Sequence, residues 1–242
     1  MWNKIIPAAL LSGLLFFGCK NEPGTAAAPP VAIPENLGGY WVNDAWWQEL
    51  QSTKSPMKAA QHLNGVAAAI FHQDSTKWLA DMSYNWHEGH QLTLRTKDGG
   101  LQLYDPKNAA IQQYMLVPHP DGTMSLDSLK MVRLGDAYTG FNAIASTLVG
   151  GQYEMGGKQV IFNPNGTILG LDDYIRYEML LDYVSEDVQA DQLQLSKEGR
   201  TPDFYAFKLE GNHLQLYPIV DVGSKDAFKY EVAKLKYELV KK

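Results

Sequence analysis

Cysteine is almost missing from the chain: Cys19 is the only one among 242 residues. No internal disulfide is available to staple the fold, which must be held by buried side chains instead. Positive charge is also scarce. Lys and Arg number 21 against 27 Asp and Glu, a net charge of −6, and no basic patch of the kind that grips a phosphate backbone stands out. Nucleic acid is thereby disfavoured as a partner, and so are anionic lipid surfaces. The N-terminal apolar run, residues 5–17, is interrupted by Pro7, Ser12 and Gly13 and is too short for a comfortable membrane span. Common catalytic signatures are absent too. Ser146 and Ser196 have no G-x-S-x-G context, and the glycine pairs beginning at Gly38, Gly99, Gly150 and Gly156 lack the strand-to-helix setting of a phosphate loop.

What is present points to strands. With 45% apolar and 20% charged residues, the chain can bury a real core as one large domain or two small ones. Its 13 Tyr and 6 Trp, against 8 Phe, have the apolar body and polar tip that suit half-buried strands or a wet pocket. Residues 159–183 are the most legible stretch. Val160-Ile161-Phe162 runs into Asn163-Pro164-Asn165-Gly166, and an apolar run resumes at Thr167, which marks a hairpin. Ile175, Tyr177, Met179, Leu181 and Tyr183 then alternate with mostly polar neighbours, predicting a strand with one face on a core or cavity. Further short strands are expected over 66–71, 78–86, 91–95, 101–104, 112–117, 192–195, 203–209 and 214–219, split by turn residues. Connections this short favour antiparallel neighbours. Two small helices should follow the first strand, capped by Asn43 or Asp44 and by Ser55 with Pro56 behind it. Tyr138, Phe141, Ile144, Ala145 and Leu148 mark one mid-chain helix, ended by Gly150-Gly151. Residues 228–240 suit a bulged strand or a helix, and strand is the expectation. The predicted fold is mainly β, an antiparallel meander that closes into a barrel.

The first residues read as a targeting segment. Lys4 supplies a positive n-region ahead of the apolar run, and Gly18-Cys19 follows it. This resembles the lipobox of bacterial lipoproteins, with Phe16 and Phe17 in place of the usual residues before the small one. The resemblance implies cleavage after residue 18 and acylation of Cys19, and several acyl chains bury enough methylene groups for stable anchoring. With Cys19 acylated no thiol remains, so cysteine catalysis drops out. Residues 19–36, rich in Pro, Ala and Gly, read as the lipidated Cys and a flexible tether to a domain spanning 37–242. Lys20 stands where Asp retains some lipoproteins at the inner membrane, so the resemblance implies the outer membrane, on either face.

Two echoes run through the domain. Leu101-Gln102-Leu103-Tyr104 recurs as Leu214-Gln215-Leu216-Tyr217, and the same offset lays Gly38-Gly39-Tyr40 beside Gly151-Gln152-Tyr153. They suggest two loosely similar halves, about 37–135 and 150–242, within one barrel. Gly39-Tyr40-Trp41 on the first strand, helical turns behind it, a short-turned meander and a terminal strand resemble the lipocalin-like (calycin) class, as found in lipoproteins of Bacteroidota-type bacteria. In that class the Trp packs across the closed end of the barrel beneath a basic residue of the last strand, which the resemblance implies to be Lys234 or Lys236.

His87 and His90, with His72 and His119 elsewhere, are the tempting metal ligands. The three-residue spacing falls in a turn and is not H-E-x-x-H, so a solvated turn is the expectation and no metal or other cofactor is called for. The acid pairs Asp172-Asp173 and Glu186-Asp187 lie in loops, where carboxylates are usually ionised and solvated. The remaining candidate site is the inner face of the sheet: Trp41, Phe162, Tyr177, Met179, Leu181, Tyr205, Phe207 and Tyr217 as the lining of a ligand cavity. The expected function is a non-enzymatic envelope lipoprotein whose barrel binds or carries a small hydrophobic molecule. The alternative is a filled barrel acting as an interaction module in envelope assembly, with Trp46, Trp47 and the flanking helices as contact surface.

Overall fold

The computed structural model describes residues 31–63, 65–136, 139–183, 188–223 and 229–242. Cys19 and the leader before it, the tether up to residue 30, Tyr138, the Glu186-Asp187 pair and Phe228 lie outside the described residues.

Alternating apolar residues and tight turns build a meander that closes. The strands β1 (Gly39–Asn43), β2 (Val66–Asp74), β3 (Lys77–Tyr84), β4 (Glu88–Lys97), β5 (Gly100–Tyr104), β6 (Tyr114–Pro118), β7 (Met124–Leu126) and β8 (Leu129–Gly135) pair neighbour to neighbour. The last, β8, returns to pair with β1, closing the barrel. Between β1 and β2 stand α1 (Asp44–Thr53) and α2 (Pro56–Ala60). Asn43 caps α1 by accepting from Trp46 N, and Ser55 caps α2 by accepting from Lys58 N with Pro56 at the first helical position.

After α3 (Gly140–Leu148) come β9 (Gly151–Met155), β10 (Lys158–Phe162), β11 (Ile168–Leu169), β12 (Arg176–Met179), β13 (Gln192–Ser196), β14 (Asp203–Glu210), β15 (His213–Asp221), β16 (Tyr230–Val232) and β17 (Tyr237–Lys241). They form a second sheet in the order β11-β10-β9-β17-β15-β14-β13-β12, with β16 pairing β15 off that path. Its two ends approach each other at the Thr167↔Arg176 bridge, beside bonds from Ile168 N to Ile175 O (2.9 Å) and from Tyr177 N to Gly166 O (2.7 Å). The second barrel is thus nearly closed.

Two expectations are corrected here. The halves do not share one barrel; each has its own sheet, because β8 pairs with β1 and leaves the first sheet no free end to extend. The strand expected over 175–183 holds its pairing only from Arg176 to Met179, and Tyr174 is buried where Ile175 is 47% exposed. A turn after Leu171, with Asp172 in the left-handed region (φ 45°), shifts the alternation by one residue ahead of the strand. At the C-terminus strand pairing prevails, in two pieces, β16 and β17.

The echo of Leu101-Gln102-Leu103-Tyr104 joins positions that are not equivalent: β5 is the fifth strand of its barrel, and β15 the seventh along the chain of its own. The other echo is real but one residue out of step. Gly39-Tyr40-Trp41 corresponds to Gly151-Gln152-Tyr153, each glycine at positive φ (130° and 143°) at the start of a first strand. Arg133 Nε donates to Gly38 O at 2.9 Å, and Lys241 Nζ donates to Gly150 O at 2.9 Å. Trp41 Nε1 is tied to Leu37 O at 2.8 Å and Tyr153 Oη to Val149 O at 2.9 Å, each four residues back. The basic residues bonded to the paired glycines are therefore Arg133 and Lys241, whereas Lys236 donates to Tyr205 Oη. Arg133 and Lys241 each sit on the strand that pairs with the first strand of their barrel.

Inward residues of the first barrel, Trp41, Phe71, Met82, Leu92, Leu103, Tyr114, Met124 and Met131 among them, form one core. Residues on its outer face, Tyr40, Val42 and Ala68, join α1 (Trp46, Leu50), α3 (Ile144, Leu148) and the interior of the second barrel in another. The helices are thus the apolar seam between the barrels.

Candidate functional site

Six of the eight expected lining residues converge inside the second barrel: Phe162, Tyr177, Met179, Leu181, Tyr205 and Phe207, each 0–7% exposed. Trp41 lies in the core of the first barrel, so it shares no enclosed space with them. Tyr217 is a correction. Leu214 and Leu216 take the inner face of β15, so the period of two turns Tyr217 outward, where its hydroxyl donates to Gln215 Oε1 (2.8 Å) and Lys208 lies over its ring.

Inside, ring meets ring. Phe162 stands edge-on to Tyr153 (centroids 5.7 Å apart) and to Tyr177 (5.2 Å), and Tyr205 contacts Tyr174 (6.1 Å) and Tyr237 (5.9 Å). A ligand-sized chamber would leave its wall side chains accessible, and these are not. At the closed end of the first barrel the space beside Leu37, Trp41 and Met124 is about 20 Å³, room for a single water.

The opposite end of the second barrel carries a polar chain. Tyr174 Oη donates to the Asp203 carboxyl (2.5 Å). Tyr174 then accepts from Tyr205 Oη (2.9 Å), which accepts from Lys236 Nζ (3.1 Å). Nearby, Tyr237 Oη donates to Asp172 (2.5 Å). Burial first, and then bonding to carboxylates, drives the Tyr174 and Tyr237 hydroxyls far above their ordinary range, so they act as fixed donors. Asp172 is thus not a free loop acid. Asp173 pairs with Lys197 (2.7 Å), which holds its carboxyl below the usual range.

The candidate histidines go to separate partners. His90 Nε2 meets Tyr84 Oη at 3.2 Å, His72 meets Asp81 at 3.0 Å, and His119 meets Ser125 Oγ at 2.7 Å. Among the described residues no three His, Cys, Asp or Glu side chains gather as metal ligands would. His87 crosses to the other barrel: its Nδ1 lies 2.6 Å from Asp182, which raises its pKa by that bond and by charge.

That contact belongs to a junction the sequence did not announce. The β3–β4 turn puts Asn85 (φ 49°) and Trp86 (φ 64°) in the left-handed region, a rare setting for an indole side chain. The Trp86 ring packs 4.9 Å from that of Trp46 on α1, and both indole N–H groups are buried with no acceptor among the described residues, which costs about 1–3 kcal/mol for a donor left unmatched. From the second barrel, Asp191 accepts from Ser55 Oγ (2.9 Å) and Met57 N (2.8 Å), capping α2 across the seam; burial raises its pKa. Between the Asp182 and Asp191 contacts opens a cleft of about 350 Å³ lined among others by Met57, Gln61, Leu63, Asn85, Tyr183 and Gln189. Strain and unpaired donors of this kind collect where a surface is used. The one local sequence signal was the turn around His87; Asp182 and Asp191 have their partners about 95 and 135 residues away, too far for local patterning to join them.

No family model, curated protein or solved structure matches the chain. Among the described residues no helix is long and apolar enough to cross a membrane.

Proposed function

We propose that this chain is a lipid-anchored, non-catalytic module of the cell envelope, whose two barrels are filled scaffolds and whose outer and inter-barrel surfaces do the binding. One observation carries it: the side chains expected to line a ligand cavity pack against one another, Phe162 and Tyr205 most completely. Close packing favours the module over the carrier of a hydrophobic molecule, because entry of a ligand would have to undo aromatic contacts and the mouth chain from Lys236 to Asp203. Acylation of Cys19 and an outer-membrane location rest on the Gly18-Cys19 context and on Lys20.

Protein lacking residues 1–19 is titrated with an environment-sensitive lipid probe. The expected result is no displaceable one-to-one binding, while crosslinking in cells recovers envelope proteins. Saturable, displaceable binding with one probe per chain restores the carrier. Labelled palmitate should enter the full chain and not Cys19→Ala, which should leave the membrane fraction.

A further inference from the structure

We infer that the outer face of β4, β5 and β6 is the docking surface for an acidic segment of a protein partner, with the Arg95 guanidinium as its anchor. This rests on the binding-module reading and deepens it by naming one face and the chemistry of what it takes. The Leu-Gln-Leu-Tyr echo carries a cation with it. In both copies the residue opposite the Gln on the preceding strand is basic, Arg95 across from Gln102 and Lys208 across from Gln215. In both, that cation lies over the ring of the Tyr two residues on, at 4.0 Å and 5.6 Å from its centroid. The strands are not equivalent, yet the same short-range device is built twice.

The first copy is the tighter. Arg95 Nε and Nη2 both donate to Gln102 Oε1 (2.9 and 2.6 Å), and Gln102 is itself buried, so the guanidinium is held in one orientation against Tyr104. That oxygen takes one edge of the guanidinium and leaves the Nη1–Nη2 edge, a fork that fits a carboxylate. Among the described residues no Asp or Glu forms an ion pair with Arg95. A fixed, half-buried guanidinium without a counter-ion, on a chain of net charge −6, is complementary to a carboxylate brought by a partner.

The surroundings of Arg95 narrow the class. The ladder runs from Arg95 through Gln102 to Met115 across the three strands, and on the same face Met115 and Val117 are 38% and 47% exposed. A Cβ at Gly100 would meet Met115 Cε at 2.9 Å, so the methionine lies over the bare glycine and spreads an apolar strip beside the cation. Arg, Tyr and Met side by side are the composition of a protein-binding hot spot. A phosphate polymer would need a row of cations, and on this face of β4 only Lys97 joins Arg95. Lys208 has no such strip, since the outward residues beside it, His213 and Gln215, are both bonded to Glu238. The second copy is therefore an internal control.

The full chain in detergent is titrated with a fluorescently labelled peptide of alternating Glu and Leu, against the same peptide with Gln for Glu, and with inorganic phosphate as competitor. Fluorescence anisotropy should show saturable binding of the acidic peptide alone, at about millimolar concentration or below. Arg95→Ala should weaken it roughly ten- to a hundredfold, the worth of a charge-assisted pair. Gln102→Glu supplies the missing counter-ion from within the chain and should weaken binding by a similar factor. Its thermal midpoint should stay level or rise, which separates loss of the site from loss of the fold. Met115→Ser and Val117→Ser, both at exposed positions, should each weaken binding roughly two- to tenfold, and Lys208→Ala should leave it unchanged. No saturable binding, equal binding of the two peptides, or binding that Arg95→Ala and Gln102→Glu leave in place overturns the surface. Displacement of the peptide by phosphate at equal concentration also overturns it, by assigning Arg95 to a free anion. A lipid probe that saturates a barrel interior would restore the carrier without altering any of these outcomes, so the two readings fail separately.

Discussion

The two barrels share a closing device and differ in how far they close. In each, a glycine at positive φ opens the first strand, an aromatic two residues on is tied to a carbonyl four back, and a cation from the strand paired with the first caps the glycine pair. The first barrel completes the ladder from β1 round to β8. The second has β11 of two residues, so its seam to β12 rests on a few backbone bonds and on side chains from the intervening loop, Asp172 and Tyr174. The difference shows that backbone pairing and side-chain bonding can substitute for each other at a barrel seam. It also locates the weaker side of the molecule. The second barrel depends in addition on α1 and α3 for its core, whereas the first has an inner core of its own.

The largest effect should come from breaking that dependence. Trp46→Ala removes a fully buried ring from the shared core and should cost about 3–5 kcal/mol. Hydrogen exchange should rise across β9–β17 well before it rises in β4–β6, on the far side of the first barrel. Equal loss in both regions would show that the barrels unfold as one unit.

Next come the paired glycines. A Cβ at Gly39 would meet Gly135 O, a backbone atom, at 2.2 Å, while one at Gly151 would meet Lys241 Cε at 2.7 Å, part of a flexible side chain. Both alanines carry the strain of positive φ. Gly39→Ala should cost about 1–3 kcal/mol more than Gly151→Ala, the extra being overpacking that no side chain can relieve. Thermal midpoints of the two variants decide it, and the reverse order would mean the first barrel's clasp is the softer.

The seam itself is the third target. Tyr174→Phe leaves Asp203 and Tyr205 each short of a partner and should cost about 1–3 kcal/mol. The amides of Ile168 and Tyr177, which bridge the seam, should lose protection first; unchanged exchange there would assign closure to the backbone alone.

Legibility in the sequence followed the range of the interactions. The Asn163 to Gly166 hairpin is set by local turn chemistry, with Gly166 at φ 82° and Asn163 N bonded to Thr167 O at 2.9 Å, and it was readable. So were the caps at Asn43 and Ser55 and the inward faces of β12 and β14, since period and capping act over a few residues. The division into two barrels was not, because it turns on whether β8 pairs with β1 or continues a larger sheet, and alternation is the same either way. Tyr217 was misplaced for want of its partner: Leu214 and Leu216 fit the core better, and only the register with β17 shows it. The junction was least visible, since His87, Asp182 and Asp191 are ordinary surface residues until the two barrels meet.

The smallest effect sharpens the comparison at the junction. His87 is exposed, and its pKa is raised chiefly by the hydrogen bond to Asp182, then by that residue's charge. A raised histidine stabilises the folded pairing in full below its unfolded value of 6.5, and the contribution fades as the pH climbs through the folded value. The pairing of the barrels should therefore be slightly firmer in mild acid. Asp182→Asn should bring the His87 titration, followed by NMR, back towards the ordinary histidine value, and His87→Ala should erase the pH dependence of Trp86 fluorescence. A His87 titration that Asp182→Asn leaves in place would assign the shift to other neighbours, Glu88 first among them. In that case the two bonds that Asp191 accepts from Ser55 and Met57 would be left, among the described residues, as the polar contact that sets the two barrels against each other.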